Sequence, residues 1–409
     1  MGQFYKWTAK AKNFYTPLQR KPMHPMERNI KVFNVYIFMG RLEMWLPIYI
    51  LFLLDKGFSM TEIAVLDAMW YVATLIFEVP TGAVTDRYGK KISIFIAVIF
   101  QFISFFVLAF GKTFSVIAFS YLLWGFASSF ETGTYSAFLY DSLKVINRED
   151  DYRKVMGRMT TISILASALG SVTAGYMAGV HLSLPILFTA SMFLLMAPLI
   201  VLFTEPEVED VREPTYFMHI KESARFVLHH RLVALLILYS SIFGAAVWAL
   251  HIFYQPLLSF FDIPVEGIGI LYLFFKLFSA AGAHSSDAFY RFVGKKSIYV
   301  IPACFVTSVL CMGFFVSRMV VSFIFMIFFI GGVYSPIISD LVNKNIPSGK
   351  RATIISLGSI ISCLIPTIIN PILGRIADLY SLQMTFKVLG IGVLLSMSLI
   401  LVFLRKEVI

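Results

Sequence analysis

The chain has 409 residues, 58% of them hydrophobic and only 14% charged, with 41 Phe and a formal net charge of +10; its mean hydropathy is +0.79. So much apolar surface cannot be hidden inside water-soluble domains, and the chain belongs in a bilayer. Cys304, Cys311 and Cys363 all fall in predicted helices, which argues against a disulfide framework or a thiolate metal site. The positive charge needs no nucleic acid, because it lies where membrane topology and anionic lipid place it.

In chain order, residues 1–29 begin MGQFYKWTAKAKNFY, a mixture of aromatics and lysines without a continuous apolar core. They read as an interfacial segment on the cytoplasmic side rather than a cleaved signal. A spanning helix needs about 20 mostly apolar residues. Windows of that kind lie near 30–54, 60–81, 92–111, 114–140, 158–180 and 183–203, then near 232–259, 266–285, 297–316, 319–341, 352–374 and 383–404. The predicted fold class is therefore an all-α polytopic membrane protein, with twelve transmembrane helices in two pseudo-symmetric six-helix bundles, 30–203 and 232–404. Between them, 204–231 is a charged linker with a short amphipathic helix from Tyr216 to His230, and 405–409 is a tail.

Basic residues gather in alternate loops: Arg87, Lys90 and Lys91; Lys144, Arg148, Arg153, Lys154 and Arg158; Arg291, Lys295 and Lys296; Lys344, Lys350 and Arg351. Retention of positive charge inside puts those loops and both termini in the cytoplasm, and the expected location is a prokaryotic inner membrane.

The same punctuation recurs in both halves. Span 2 ends in Gly82-Ala-Val-Thr-Asp86 and runs on to Gly89-Lys90-Lys91; span 8 ends in Gly282-Ala-His-Ser-Ser-Asp287 and runs on to Gly294-Lys295-Lys296. Span 4 closes with Ser136 and Asp141 before Lys144, and span 10 with Ser335 and Asp340 before Lys344. Because six is even, both halves start on one side, which describes parallel repeats about an axis along the membrane normal.

GAVTDRYGKK resembles the loop between helices 2 and 3 that marks the major facilitator superfamily, G-x-x-x-D-R-x-G-R/K-K. The resemblance implies a rocker-switch secondary transporter in which helices 1, 4, 7 and 10 line a central cavity while helices 2 and 11, and 5 and 8, slide on each other. It implies no cofactor and no enzymatic activity. Gly82 is expected to allow close packing at the end of span 2, and Gly89 a tight turn with φ > 0. Asp86 would sit at the N-terminus of span 11, around Arg351 to Ile354, where the helix dipole favours an anion. With Arg87 and Lys90 at the lipid surface it would form a latch closing the cytoplasmic side, and Asp287 would be a degenerate second copy facing span 5. Proton-coupled drug exporters of this family carry an arginine in helix 4 where this chain has Ser129. They also carry a Gly-Pro pair in helix 5 where it has LGSVTAGYMAG.

Ionisable side chains at bilayer depth are costly and face a cavity or a partner. In span 1, YIFMGRLEMWLP holds Arg41 and Glu43, which on a continuous helix point about 200° apart. Tyr36 and Glu43 then share one stripe, and only one of the two charges faces the cavity. In span 4, Trp124, Ser128, Glu131 and Tyr135 recur at helical spacing as a cavity wall. The second half offers His251, Tyr254, Gln255 and Lys276. Outside, Asp67 of span 2 and Arg375 of span 11 either pair as an external gate or act apart, Arg375 reaching the headgroups and Asp67 bonding within its own bundle.

No H-E-x-x-H, G-x-S-x-G, nucleotide-binding loop or His/Cys cluster points to an enzyme, an ATP-driven pump or a metal site. Two transport readings follow. One is proton-coupled export of small amphiphilic or cationic compounds, with Glu131 or Glu43 carrying the proton. The other is a carrier of an anionic or zwitterionic metabolite, with Arg41 and Lys276 taking the anion. A channel or a non-transporting sensor is the remaining class. Either carrier would work as a monomer among membrane lipids with a small molecule as its substrate.

Overall fold

A computed structural model describes residues 24–131, 133–207, 227, 229–346 and 351–408. Side chains of 351–353, 355, 356 and 406–408 are not described, and the predicted N-terminal anchor and amphipathic linker helix fall almost wholly outside these residues. The long helices are α1 Pro25–Gly40, α2 Tyr49–Asp55, α3 Met60–Tyr88, α4 Lys90–Phe110, α5 Phe114–Glu131, α6 Thr134–Val145, α7 Tyr152–Val180 and α8 Ser183–Val201. They continue with α9 Arg231–Phe260, α10 Val265–Val293, α11 Ser297–Phe314, α12 Val320–Lys344, α13 Arg351–Leu379 and α14 Leu382–Val408.

Among the described residues, ten stretches are long and apolar enough to cross a bilayer, and one of them, Val265–Phe314, contains both α10 and α11. The first span, broken into α1 of 16 residues and α2 of 7, is not among them. Several helices run well beyond their apolar windows, α3 to Tyr88 and α10 to Val293, because polar residues at the membrane surface continue the helix until a glycine stops it. Gly89 does so with φ +90° and Gly294 with φ +62°, conformations that cost other residues energy.

Two expected helices are not continuous. Span 1 breaks from Arg41 to Ile48, with Glu43 at φ +42° and Pro47, which has no N–H to give, inside the break. The freed backbone groups are taken up by the Gln255 side chain of α9. Its Nε2 donates to the Leu46 carbonyl at 2.9 Å, and the Ile50 N–H donates to its Oε1 at 3.1 Å. Non-helical backbone at this depth survives only where such partners exist. Gly170 of α7 lies so close to the Leu42 carbonyl that no side chain fits between them. Span 4 breaks after Glu131, where Gly133 adopts the left-handed conformation (φ +76°).

The two halves meet along two seams, α3 against α13 and α7 against α10, which are the pairs of spans 2 with 11 and 5 with 8. Among the described residues, the closest glycine contacts across them lie toward the ends of the helices away from the basic loops. Gly374 abuts the backbone of Met60 and Thr61, and Gly269 abuts Ser171 and Gly175, so bare backbone packs on backbone. At the basic end, by contrast, Gly82 and Gly157 face open space. Among the described residues, Gly82 therefore makes no close packing in this conformation.

Candidate functional site

Between the halves lies a cavity of about 550 Å³. Tyr36, Arg41, Glu43, Trp124, Ser128, Glu131, Tyr135 and Lys276 all line it. So do Trp45, Trp70, Gln101 and Trp248, which sequence reasoning missed; every tryptophan among the described residues faces this space. Gln101 carried a readable signal, being a lone amide within the apolar window of span 3. Three indoles are clustered: the Trp124 ring centroid is 4.8 Å from that of Trp45 and 5.2 Å from that of Trp70.

The break in span 1 corrects the expectation for its charges. Because residues 41–48 are not helical, Arg41 and Glu43 are not held on opposite faces, and both enter the cavity. They bond to each other, Arg41 Nη1 donating to Glu43 Oε1 at 2.9 Å. The pair brings both charge signs to the site but no net charge.

Glu131 is held differently. It ends α5 and accepts from Gln101 Nε2 and from Tyr135 Oη at 2.7 Å, and Tyr135 Oη lies 2.7 Å from Tyr36 Oη. Its hydrogen-bond partners are neutral, and no cation lies within ion-pair distance among the described residues. The chain Tyr36–Tyr135–Glu131–Gln101 thus ties spans 1, 3 and 4 to one carboxylate at the point where span 4 breaks. Lys276 of α10 lines the same cavity from the other half, with Glu43 and Arg41 as its charged neighbours. Its ammonium lies 5.2 Å from the Tyr272 ring centroid and has no carboxylate within ion-pair distance among the described residues.

Three residues expected in the cavity lie elsewhere. His251 stacks on Trp248 with ring centroids 5.2 Å apart and, with Lys276, lines a side chamber of about 180 Å³. Tyr254 is fully buried beside Tyr272, and Gln255 is occupied by the broken span 1. Its amide is structural because the break needs one donor and one acceptor at the same place.

The expected Asp67–Arg375 pair does not form. Arg375 is exposed, whereas Asp67 is buried and accepts from Trp248 Nε1 at 3.3 Å and Asn370 Nδ2 at 3.2 Å. The acid that bridges the seam is Asp378, close to one helical turn beyond Arg375. Its carboxylate accepts the N–H groups of Met60 at 2.9 Å and Thr61 at 2.8 Å, and the Thr61 hydroxyl. Ser59 and Glu62 form a capping box beside it, so the first turn of α3 is satisfied partly from its own half and partly from the other.

A family model described as Major Facilitator Superfamily matches residues 33–371. The chain belongs to that superfamily. Among curated relatives of this facilitator, the Uncharacterized MFS-type transporter YxaM of Bacillus subtilis (strain 168) is 25% identical over 367 residues, 86% of this chain and 90% of that one. Multidrug resistance protein 1 of the same organism is 29% identical over 175 residues, covering 42% of this chain and 44% of that protein. Quinolone resistance protein NorA of Staphylococcus aureus is 26% identical over 176 residues, covering 43% and 44%. The chain thus matches less than half the length of these last two. Among solved structures, the nucleoside transporter NupG aligns with TM-score 0.78 over 93% of this chain and 99% of that one, at 13% identity, a likeness of fold alone.

In this facilitator the loop after α3 works as an anchor within the first half. Gly89 begins α4 without a side-chain cap, and Glu205, just beyond α8, supplies one. Its two carboxylate oxygens accept the Lys90 N–H at 2.8 Å and the Lys91 N–H at 2.7 Å. A Cβ on Gly89 would lie 2.9 Å from that carboxyl carbon, a second reason for glycine. Lys90 Nζ pairs with Asp141 at 2.9 Å, making Asp141 a structural ion-pair member. Arg87 lies over the Tyr88 ring, and Asp86 is exposed with no bonding partner among the described residues. Asp287 does not engage α7; it pairs with Arg291 of its own helix at 2.7 Å and borders a pocket with Asp340. Replacing Glu205 by alanine should cost about 1–3 kcal/mol through the loss of a charged cap, read as a lower melting temperature in detergent with the binding of ligand in the cavity unchanged. An unaltered melting temperature would remove the anchor.

Proposed function

We propose that this protein is a secondary transporter that exports small amphiphilic organic cations in exchange for protons, and that the form described above is its inward-open state, with the basic end in the cytoplasm. The observation that carries the reading is Glu131: a carboxylate bonded by neutral groups, in a cavity walled by indoles. Indole faces and a carboxylate hydrogen-bonded by neutral groups together suit a cation with an apolar body. If proton and cation compete for that carboxylate, each crosses only when the other is absent, which is the condition for exchange. The partial similarity to Multidrug resistance protein 1 and NorA supports this choice of substrate class.

Lys276 supports a second reading. An ammonium that lines the same cavity as Glu131, with no carboxylate within ion-pair distance among the described residues, suits an anionic or zwitterionic metabolite, its anion on Lys276 and its amine on Glu131.

Vesicles containing the purified protein separate these readings. With the basic end facing the bath and an acidic interior, tetraphenylphosphonium should accumulate inside and the accumulation should collapse with the pH gradient. Accumulation of an amino acid mixture instead would favour the second reading, and movement of either probe only down its own gradient would exclude coupled transport.

Asp86 enters at the other end of the cycle. It faces open solution here and would cap α13 when the basic end closes. Such a cap contributes about 0.3–2 kcal/mol, so Asp86→Asn should bias the inward/outward ratio about 2- to 30-fold toward the present form. Spin-label distances across the basic end check it; an unchanged distribution would rule out the latch.

A further inference from the structure

Among the described residues, Asp67 is the one buried acid that the reading above does not use. It is 4% exposed, and both hydrogen bonds it accepts come from the opposite half, Trp248 of α9 and Asn370 of α13. From its own half it is faced by Tyr49, Tyr71 and Tyr121. Beyond Trp248 stacks His251, but no Lys, Arg or His lies within ion-pair distance of Asp67 among the described residues. A carboxylate closed in this way has exchanged water for two neutral donors, which is a poor trade for a full charge. Asn370, 1% exposed, also has an amide oxygen with no donor. Amide oxygen and nitrogen positions interchange by a half-turn, after which that oxygen could accept a proton carried by Asp67.

We propose that Asp67 is a second proton-binding site, separate from Glu131, and that the outer seam closes on its proton-bound form. When the outer ends part, Trp248 and Asn370 leave with their own half and Asp67 meets external water, where it ionises. Closure then requires a proton from outside. Once the seam is shut, the Trp248 indole, which borders the central cavity, separates Asp67 from the opposite solution. An exporter built this way returns to its inward-open form only after taking up an external proton, which suppresses empty return cycles. The inference rests on the alternating-access reading but not on Glu131 or on any substrate.

The sign is fixed by proton counting: the closed form binds one more proton than the open form, so raising pH favours opening. The test uses the full chain in lipid nanodiscs with its three cysteines replaced by serine. Spin labels at Lys112 and Met319, exposed outer positions on opposite halves, report the gap, and a pair at Lys112 and His181 within one half reports folding. Without substrate, the open-to-closed ratio should rise about tenfold per pH unit across the window in which only the open form is ionised. Asp67→Asn should stay closed throughout. Trp248→Phe, lacking a donor to the ionised form, should enlarge the shift. A pH response unchanged in Asp67→Asn and in Trp248→Phe, or no response in the parent, would overturn the proposal; neither result would bear on transport through Glu131.

Discussion

Replacing Gly374 by alanine should abolish transport by holding the outer seam open, although the new methyl group is far smaller than anything in the cavity. A Cβ at this position would lie 2.5 Å from the Met60 carbonyl oxygen and 3.0 Å from the Thr61 Cα. Both are backbone atoms of the opposite half, so no rotamer change relieves the clash. Separating the seam also withdraws the Asp378 carboxylate from the two N–H groups at the start of α3. Bonds to charged groups contribute about 1.5–3 kcal/mol each, which is enough to displace a balanced equilibrium almost completely. Because the clash is between halves rather than within one, each bundle should still fold. Spin labels at Lys112 and Met319 should show a widened outer gap, while alanine at Gly392, where nothing lies within 4 Å, should change nothing. Normal transport by the Gly374→Ala protein would mean that the outer seam is not a gate.

The second large effect is expected at Glu131. Glu131→Gln keeps an oxygen for the Tyr135 hydroxyl but removes the exchangeable charge. Accumulation driven by a pH gradient should fall to its undriven level, whereas exchange of labelled for unlabelled probe at equal pH should persist. Tyr135→Phe, which leaves Gln101 as the remaining donor, should weaken coupling without abolishing it. If Glu131→Gln still accumulates the probe against its gradient, the proton travels by another group. If it loses exchange as well, Glu131 is needed for substrate binding and its coupling role is unsupported.

Much of this architecture is written in composition and spacing. Apolar windows marked the ten stretches long enough to cross a bilayer, the paired GAVTDRYGKK and GAHSSD punctuation pointed to a repeat, and the stripe Trp124, Ser128, Glu131 and Tyr135 lines the cavity. The errors in spans 1 and 4 share one cause. Arguments from helical period assume an unbroken helix, and spans 1 and 4 break beside the acids they present. Pro47 and Gly133 were legible as irregularities, but the compensating Gln255 lies more than 200 residues from the break it mends. The outer gate was misassigned for a related reason. Sequence suggests charge to pair with charge, so Asp67 was matched to Arg375, whereas both acids at the seam bind neutral donors. Asp378 takes backbone N–H groups, and Asp67 takes an indole and an amide. Neutral partners of this kind leave no mark in a charge census.

Alternating access to one cavity is the claim on which everything else depends, and side-specific labelling of that cavity tests it most directly. In a cysteine-free chain, Ser128→Cys places a single thiol on the cavity wall. A membrane-impermeant maleimide added to oriented vesicles should reach it from the basic end and not from the other. In the Gly374→Ala protein, the opposite side should gain access as the basic end loses it. Labelling from both sides at comparable rates in one and the same protein would describe a channel and contradict the account.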